Sequence, residues 1–257
     1  MLGKKVSFTH LRNADMNSMK IALNTLHSIY TCNIHKLPTY VIDHVVNANK
    51  SGPAWYNFGK CLNSNNTGSA DKSKCLEELE QACSNSDVRV TKVLRLGFTK
   101  IGSLLQRLPY LHCLFLLRDP RAILNSRIQT KWFQVQENEP AILKSNVDSL
   151  CHKMLGDYNA YNMLQSKFKE RLQQVWIHNV TKDEDSMKNL LYFHRLNYTL
   201  HKKDREFLDE VFKRKKNNKL FRDWQETLKP EYIAYTEKKC LQFYKATMPN
   251  VILGQTT

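Results

Sequence analysis

Residues 116–127, with the sequence LLRDPRAILNSR, place three arginines and one aspartate directly after an apolar run without charge. Arg118 follows that run, and Ser126 comes eight residues later. A guanidinium and a hydroxyl near a helix start favour a phosphate, because charge-assisted hydrogen bonds and free helix amides both stabilise that anion. The alternative is that Arg118 pairs with Asp119 or another carboxylate and that Ser126 packs without a ligand.

The elements around this stretch predict where Arg118 lies. The apolar run at 110–117 predicts a buried strand. Asp119 as N-cap and Pro120 in the first helical position then predict the start of a helix. Arg118 would therefore stand at the carboxyl end of a strand, which is the edge where open α/β sheets bind ligands.

The flanking segments extend this pattern to a parallel α/β sheet with helices on both faces. Alternating apolar residues predict a strand at 88–96, and LQQVWIHNV predicts another at 172–180. Apolar spacing and capping signals predict helices at 14–30, 98–109, 145–170 and 183–198. Strands that alternate with helices are typical of a parallel sheet.

Two segments are predicted from composition. Residues 48–74 are rich in Asn, Ser, Gly and Lys and predict a polar loop, followed by a short helix at 74–83. Residues 202–257 predict a basic, helical C-terminal segment, in which KRKKNNK at 213–219 is interpreted as a solvated face. The length of 257 residues fits one globular domain over 1–257.

The net charge of the chain restricts the classes of ligand that it is expected to bind. It has 39 Lys and Arg against 24 Asp and Glu, a formal net charge of +15. Such a surplus attracts polyanions: an acidic glycan, a phosphate-bearing nucleotide or nucleic acid. No apolar stretch reaches the roughly 18 residues that span a bilayer.

The seven cysteines form an odd set without a repeated CxxC, so we expect no metal site, and Cys32 with His35 is the nearest approach to one. Asn-x-Ser/Thr sequences at Asn49, Asn65, Asn179 and Asn197 suit a secretory protein.

LLRDPRAILNSR resembles the 3′-phosphate-binding motif of the Golgi carbohydrate sulfotransferases, which sulfate the 6-hydroxyl of galactose, N-acetylgalactosamine or N-acetylglucosamine. KVLRL, SLCHKM, LLYFHRLNY and WQETLKPEYIAYTEKKC are similar to further segments of that family. The resemblance implies a P-loop-like α/β fold, 3′-phosphoadenosine 5′-phosphosulfate as donor, a glycan or proteoglycan acceptor and a Golgi location. It also implies that Arg118 and Ser126 hold the 3′-phosphate.

The same family resemblance bears on the pairing of the cysteines. The resemblance implies a bridge between Cys151 and Cys240, where the family has cysteines. We expect a second bridge from Cys61 to either Cys75 or Cys83, and a buried free thiol at Cys113.

The chain departs from the family at the 5′-phosphosulfate site. The family's first strand and its Arg-, Ser- and Gly-rich loop have no counterpart, and GFTKIGS at 97–103 is a weak substitute because its glycines lack P-loop spacing. No catalytic residue is assigned. We therefore expect the 257-residue chain to bind nucleotide without transferring sulfate, as a truncated or inactive form that also lacks the membrane anchor.

Two alternatives remain from the sequence. One is a non-catalytic relative that binds nucleotide or acidic glycan, and the other is a basic nucleic-acid-binding protein. No aromatic and basic recognition motif supports nucleic acid, so we do not expect that partner.

Overall fold

A computed structural model describes residues 16–42, 53–64, 69–93, 96–129, 140–180, 183–195, 205–206, 209–210 and 223–248. The chain divides into two compact units, 1–96 and 97–257. The single domain over 1–257 stays a prediction. The segment at 213–219 lies outside the described residues.

The first unit contains three described α-helices: α1 (Met16–Tyr30), α2 (Pro53–Ser64) and α3 (Ser69–Ser84). Helix α1 has the position that its apolar spacing predicts. A 3-10 turn at Ile34–Lys36 supplies the buried Ile34, which packs in one cluster with Phe58 and Leu79. Two disulfides hold this small core, Cys32 to Cys83 and Cys61 to Cys75.

The prediction of a polar loop over 48–74 is wrong for the described part of that range. Residues 53–64 form α2, and α3 begins at Ser69. The polar composition of this range obscures an apolar face of the helix. Four residues of that face belong to, or pack against, the cluster that contains Ile34: Ala54, Trp55, Phe58 and Leu62. Burial of that apolar face stabilises the helix whatever the polarity of its other face.

The predicted strand at 88–96 is also wrong where it is described, because residues 88–93 form no strand. Val88, Val90 and Val93 are exposed, Val90 at 84%. A strand needs a neighbour for its backbone and a surface for its apolar face. Alternation supplies neither, so residues 88–93 form no strand and have no strand partner among the described residues.

The second unit begins with a 3-10 turn at Phe98–Lys100. It continues through α4 (Ile101–Arg107), β1 (Cys113–Leu117), α5 (Pro120–Gln129), α6 (Pro140–Phe168), β2 (Leu172–Trp176), α7 (Ile177–Val180), α8 (Glu184–Phe193), α9 (Asp223–Thr227), α10 (Pro230–Lys239) and α11 (Leu241–Thr247). Where they are described, the helices predicted at 98–109, 145–170 and 183–198 are present. The strand predicted at 172–180 is shorter, because 177–180 are helical.

The described sheet has two parallel strands, paired from Cys113 with Leu172 to Leu117 with Trp176. Phe115 stacks on Tyr161 of α6 at 5.5 Å between ring centroids and also contacts Phe98. The protein is therefore mostly helical and broadly α/β, with a parallel sheet smaller than the sequence predicts.

A helical layer packs around α5. Most of its buried residues come from five helices: Ala122, Leu124, Leu143, Val147, Cys151, Trp224, Tyr232, Ile233 and Tyr244. Leu228 lies between α9 and α10, and Cys240 lies at the α10–α11 junction. The predicted bridge between Cys151 and Cys240 is confirmed, with Cα atoms 4.8 Å apart. The Cys61–Cys75 bridge is the first of the two predicted alternatives. Cys113 is the free cysteine, as predicted, although it is only partly buried.

No helix among the described residues combines the length and the apolar character that crossing a membrane requires.

Candidate anion-binding site

Arg118 lies between β1 and α5, at the carboxyl end of a parallel strand. Leu117 and Pro120 on either side of it are buried, and Arg118 itself is partly exposed. Only Arg118 and Asp119 separate the end of β1 from the start of α5, so the chain passes from the sheet into the helix at this point. The position matches the one that the sequence predicts, at the edge where parallel sheets bind ligands.

The Arg118 guanidinium is only partly solvated. Its Nε is buried and has no hydrogen-bond partner among the described residues. Burial lowers the pKa of Arg118, and the negative charge of Asp119 partly opposes that shift. A buried guanidinium N–H without an acceptor is costly, so an acceptor that reaches it gains a strong, charge-assisted bond.

Asp119 does not satisfy Arg118, because its carboxylate is already used. Its Oδ1 accepts from the backbone N–H of Arg121 at 2.8 Å and from the Tyr244 hydroxyl at 3.0 Å. Its Oδ2 accepts from Nη2 of Arg121 at 2.7 Å. The alternative in which Arg118 pairs with its neighbouring aspartate is therefore not the arrangement that this structure contains.

The prediction that Asp119 caps α5 is confirmed, and this cap affects how an anion could bind at the start of the helix. The carboxylate occupies the N–H of Arg121, in the second helical position after Pro120. That negative charge already complements the positive end of the helix dipole. An incoming phosphate would therefore depend on the side chain of Arg118 more than on the free amides of α5.

The Arg121 side chain makes its contacts within the fold, with a carboxylate of α10 and with aromatic rings. Its Nη1 lies 2.5 Å from Oε1 of Glu237 in α10, and both side chains are 11% exposed. The guanidinium also lies 4.1 Å from the ring centroid of Trp224 and 5.4 Å from that of Tyr244. Burial alone would lower the pKa of Arg121, but its bonds to Asp119 and Glu237 raise it.

Ser126 lies in the second turn of α5 and is partly exposed. It lies six positions after Pro120, which corresponds to an axial rise of about 9 Å. A phosphate that contacts both Ser126 and Arg118 would therefore lie along the first two turns of α5. That these two residues bind one phosphate stays a prediction.

Residues 97–103 have packing roles that account for both of their glycines. The backbone N–H of Phe98 donates to Oδ1 of Asp157 at 2.6 Å, and a Cβ at Gly97 would lie 3.3 Å from that oxygen. A Cβ at Gly102 would lie 2.8 Å from a methyl carbon of Leu164. A carboxylate therefore occupies an amide that a phosphate cradle would need.

The network of Asp119, Arg121, Glu237 and Tyr244 was not predicted. Asp119 two residues before Arg121 is a local signal that could have indicated the first contact, because an N-cap carboxylate reaches the second helical residue. Nothing local indicates Glu237, which lies 116 residues away from Arg121.

Comparison of the chain with family models, with curated proteins and with solved structures finds no significant match.

Proposed function

We propose that this chain is a carbohydrate sulfotransferase domain that binds 3′-phosphoadenosine 5′-phosphosulfate as donor and a glycan hydroxyl as acceptor. The observation that carries the proposal is Arg118, which ends a parallel strand with a buried Nε that has no partner among the described residues. The neighbouring aspartate is committed to Arg121, which leaves the Arg118 guanidinium available for an anion. The motif resemblance identifies that anion as a 3′-phosphate.

In this proposal the 3′-phosphate is an anchor. Its bonds to Arg118 and Ser126 would position the donor, so that the sulfuryl group faces the sugar hydroxyl for in-line attack. No metal ion takes part. Transfer also requires donors that stabilise charge on the departing 5′-phosphate. Residues 97–103 are poorly suited to this role because Asp157 already accepts from Phe98, and the catalytic residues remain unassigned.

The cysteines support a lumenal location in the Golgi. Three cysteine pairs lie at disulfide distance. Disulfides persist in oxidising compartments and are rare in the cytosol and nucleus. They therefore favour a glycan over a nucleic acid as the polyanion that complements the net charge of +15.

Calorimetry with two nucleotides tests the donor site. We expect adenosine 3′,5′-bisphosphate to bind more tightly than adenosine 5′-monophosphate, because only the first has the 3′-phosphate. Arg118→Ala should weaken binding of the bisphosphate by about 1.5 to 3 kcal/mol, which is the usual contribution of a charge-assisted hydrogen bond. Ser126→Ala should have a smaller effect.

Arg107→Ala is the matched control, since Arg107 is exposed in the same unit and its removal deletes one positive charge. It should leave affinity unchanged at moderate salt. Equal affinity for both nucleotides, or equal losses in the two arginine variants, would contradict the assignment.

A transfer assay with radiolabelled donor and galactose or N-acetylglucosamine acceptors separates binding from catalysis. We expect this 257-residue chain to bind the nucleotide without measurable transfer, because loss of one preorganised donor already costs about a hundredfold or more in rate. Clear turnover would mean that other residues of the chain contact the 5′-phosphate. Nucleotide binding without transfer even after the family's Arg-, Ser- and Gly-rich loop is fused ahead of the chain would favour the non-catalytic relative.

A further inference from the structure

The bridge between Cys32 and Cys83 joins the carboxyl ends of α1 and α3 in the first unit. Cys32 has a φ of 55°, in the left-handed region that favours glycine. Its backbone N–H donates to the carbonyl oxygen of Ile29, and the N–H of the next residue donates to the carbonyl oxygen of Ser28. These bonds form a Schellman turn with cysteine in the usual place of glycine. Such a backbone is costly for a residue with a Cβ, so opening the bridge would let it relax.

Arg89 places a cation on one sulfur of this bridge. Its Nη1 donates to Sγ of Cys32 at 3.0 Å and to the carbonyl oxygen of Cys83 at 3.4 Å. A guanidinium beside a sulfur stabilises the thiolate. Both sulfurs lie near helix carboxyl ends, where the dipole disfavours negative charge, so the dipole does not distinguish them. The direct contact with Arg89 makes Cys32 the better leaving group of the pair.

The two cysteines of the bridge also differ in access. Cys32 is 7% exposed, whereas Cys83 is partly exposed. A thiolate attacks a disulfide at one sulfur and expels the other. The accessible Cys83 is therefore the sulfur that a thiolate would attack, and Cys32, beside its cation, is the sulfur that would leave. Access and charge favour the same direction of exchange.

The other two bridges are less suited to this exchange. Attack at the partly exposed Cys61 would expel Cys75, which is 1% exposed and belongs to a hydrophobic cluster. Cys151 and Cys240 are 5% and 1% exposed and belong to the cluster around α5. Apolar surroundings disfavour a thiolate. We therefore expect both of these bridges to exchange more slowly than Cys32–Cys83.

We propose that Cys83 is a site of reversible modification by a low-molecular-weight thiol, which opens the Cys32–Cys83 bridge. The incoming thiolate forms a bond to Sγ of Cys83, the bond between the two cysteines breaks, and Cys32 leaves as a thiolate beside Arg89. One disulfide replaces another, so this step consumes no oxidant or reductant. The covalent link from α1 to α3 is lost, while the bridge from α2 to α3 remains. The proposal does not depend on nucleotide binding or on sulfate transfer.

Exchange of the oxidised full chain with reduced glutathione tests the proposal. Samples are quenched with N-ethylmaleimide at intervals, and peptide mass spectrometry locates glutathione and maleimide on each cysteine. We expect a first product with glutathione on Cys83 and maleimide on Cys32, formed about tenfold faster than products at the other two bridges. Glutathione first on Cys32, or exchange no faster than at another bridge, would overturn the proposal.

One variant and a matched control test the role of the cation. Arg89→Ala removes the guanidinium from the bridge, and Lys92→Ala removes a positive charge from an exposed position three residues later. We expect Arg89→Ala to slow the exchange about threefold or more and Lys92→Ala to leave it unchanged. Exchange in Arg89→Ala as fast as in the control would overturn the proposal. The location of glutathione in the wild-type protein remains decisive should a variant fail to fold.

Discussion

Arg118 and Arg121 lie three residues apart in the chain and have different surroundings. Arg121 bonds to Asp119 and Glu237 and stacks on Trp224, so its charge is balanced within the core. Arg118 keeps a buried Nε without a partner among the described residues. An arginine with a complete set of partners stabilises the fold, while one with an incomplete set is the better candidate for a ligand contact.

Removing Arg121 should destabilise the protein without acting on a ligand site. Arg121→Ala leaves Asp119 and the 11%-exposed Glu237 without their cation, and breaking a buried pair of this kind costs about 3 to 5 kcal/mol. Urea unfolding measures the loss. Arg107→Ala, at an exposed position, should stay within about 0.5 kcal/mol of wild type. A loss below about 1 kcal/mol for Arg121→Ala would show that solvent replaces its partners.

At the scale of elements, the start of β1 is fixed by two contacts. The Arg171 guanidinium, from the residue before β2, donates to the carbonyl oxygens of Leu105, Leu108 and Pro109 and so satisfies the end of α4. His112, the residue before β1, packs edge to face on His194 at the end of α8, with ring centroids 5.6 Å apart.

The two histidines make this junction sensitive to acid. Burial lowers the pKa of His112, with a further contribution from Arg195 and Arg171, and burial followed by the charge of His112 lowers the pKa of His194. One ring nitrogen of each is buried without a partner among the described residues. Protonation would therefore place two charges beside two arginines.

We expect the free energy of unfolding to fall as the pH decreases from about 7 to 5. The histidine pKa is near 6.5 in an unfolded chain and lower in the folded one, so below that value the unfolded chain binds more protons and is favoured. Thermal unfolding at several pH values measures this. His194→Gln should reduce the pH dependence, whereas His152→Gln, at an exposed position, should not. A pH dependence that is unchanged in His194→Gln would contradict the assignment.

At the scale of the whole molecule, each compact unit has its own disulfides. Cys151 and Cys240 are 89 residues apart and join α6 to the α10–α11 corner in the second unit. Cys61 and Cys75 are 14 residues apart and join α2 to α3 in the first. Closing a longer loop removes more entropy from the unfolded chain.

Replacing the cysteines in pairs by alanine should therefore destabilise the units separately. By loop entropy, loss of the Cys151–Cys240 bridge costs about 4 to 5 kcal/mol, and loss of the Cys61–Cys75 bridge about 3 kcal/mol. Hydrogen exchange measured on peptides from each unit should show faster exchange only in the unit that lost its bridge. Equal acceleration in both units would indicate that they unfold together.

The sequence by itself determined the features that depend on near neighbours. Asp119 and Pro120 specify the start of α5, because a cap and a fixed φ act within one turn, and apolar spacing located α1 and α6. The position of Arg118 after a strand followed from the same signals. The Cys151–Cys240 pairing came from the resemblance and is confirmed.

Only the tertiary structure decided the features that need a distant partner. Residues 88–93 alternate like a strand but lack a described neighbour, and 53–64 look polar but bury a stripe. Glu237, a partner of Arg121, lies 116 residues away from it in the sequence. Backbone pairing, charge compensation and packing each depend on residues that are distant in the sequence and meet only in the folded chain. No local sequence pattern therefore specifies them.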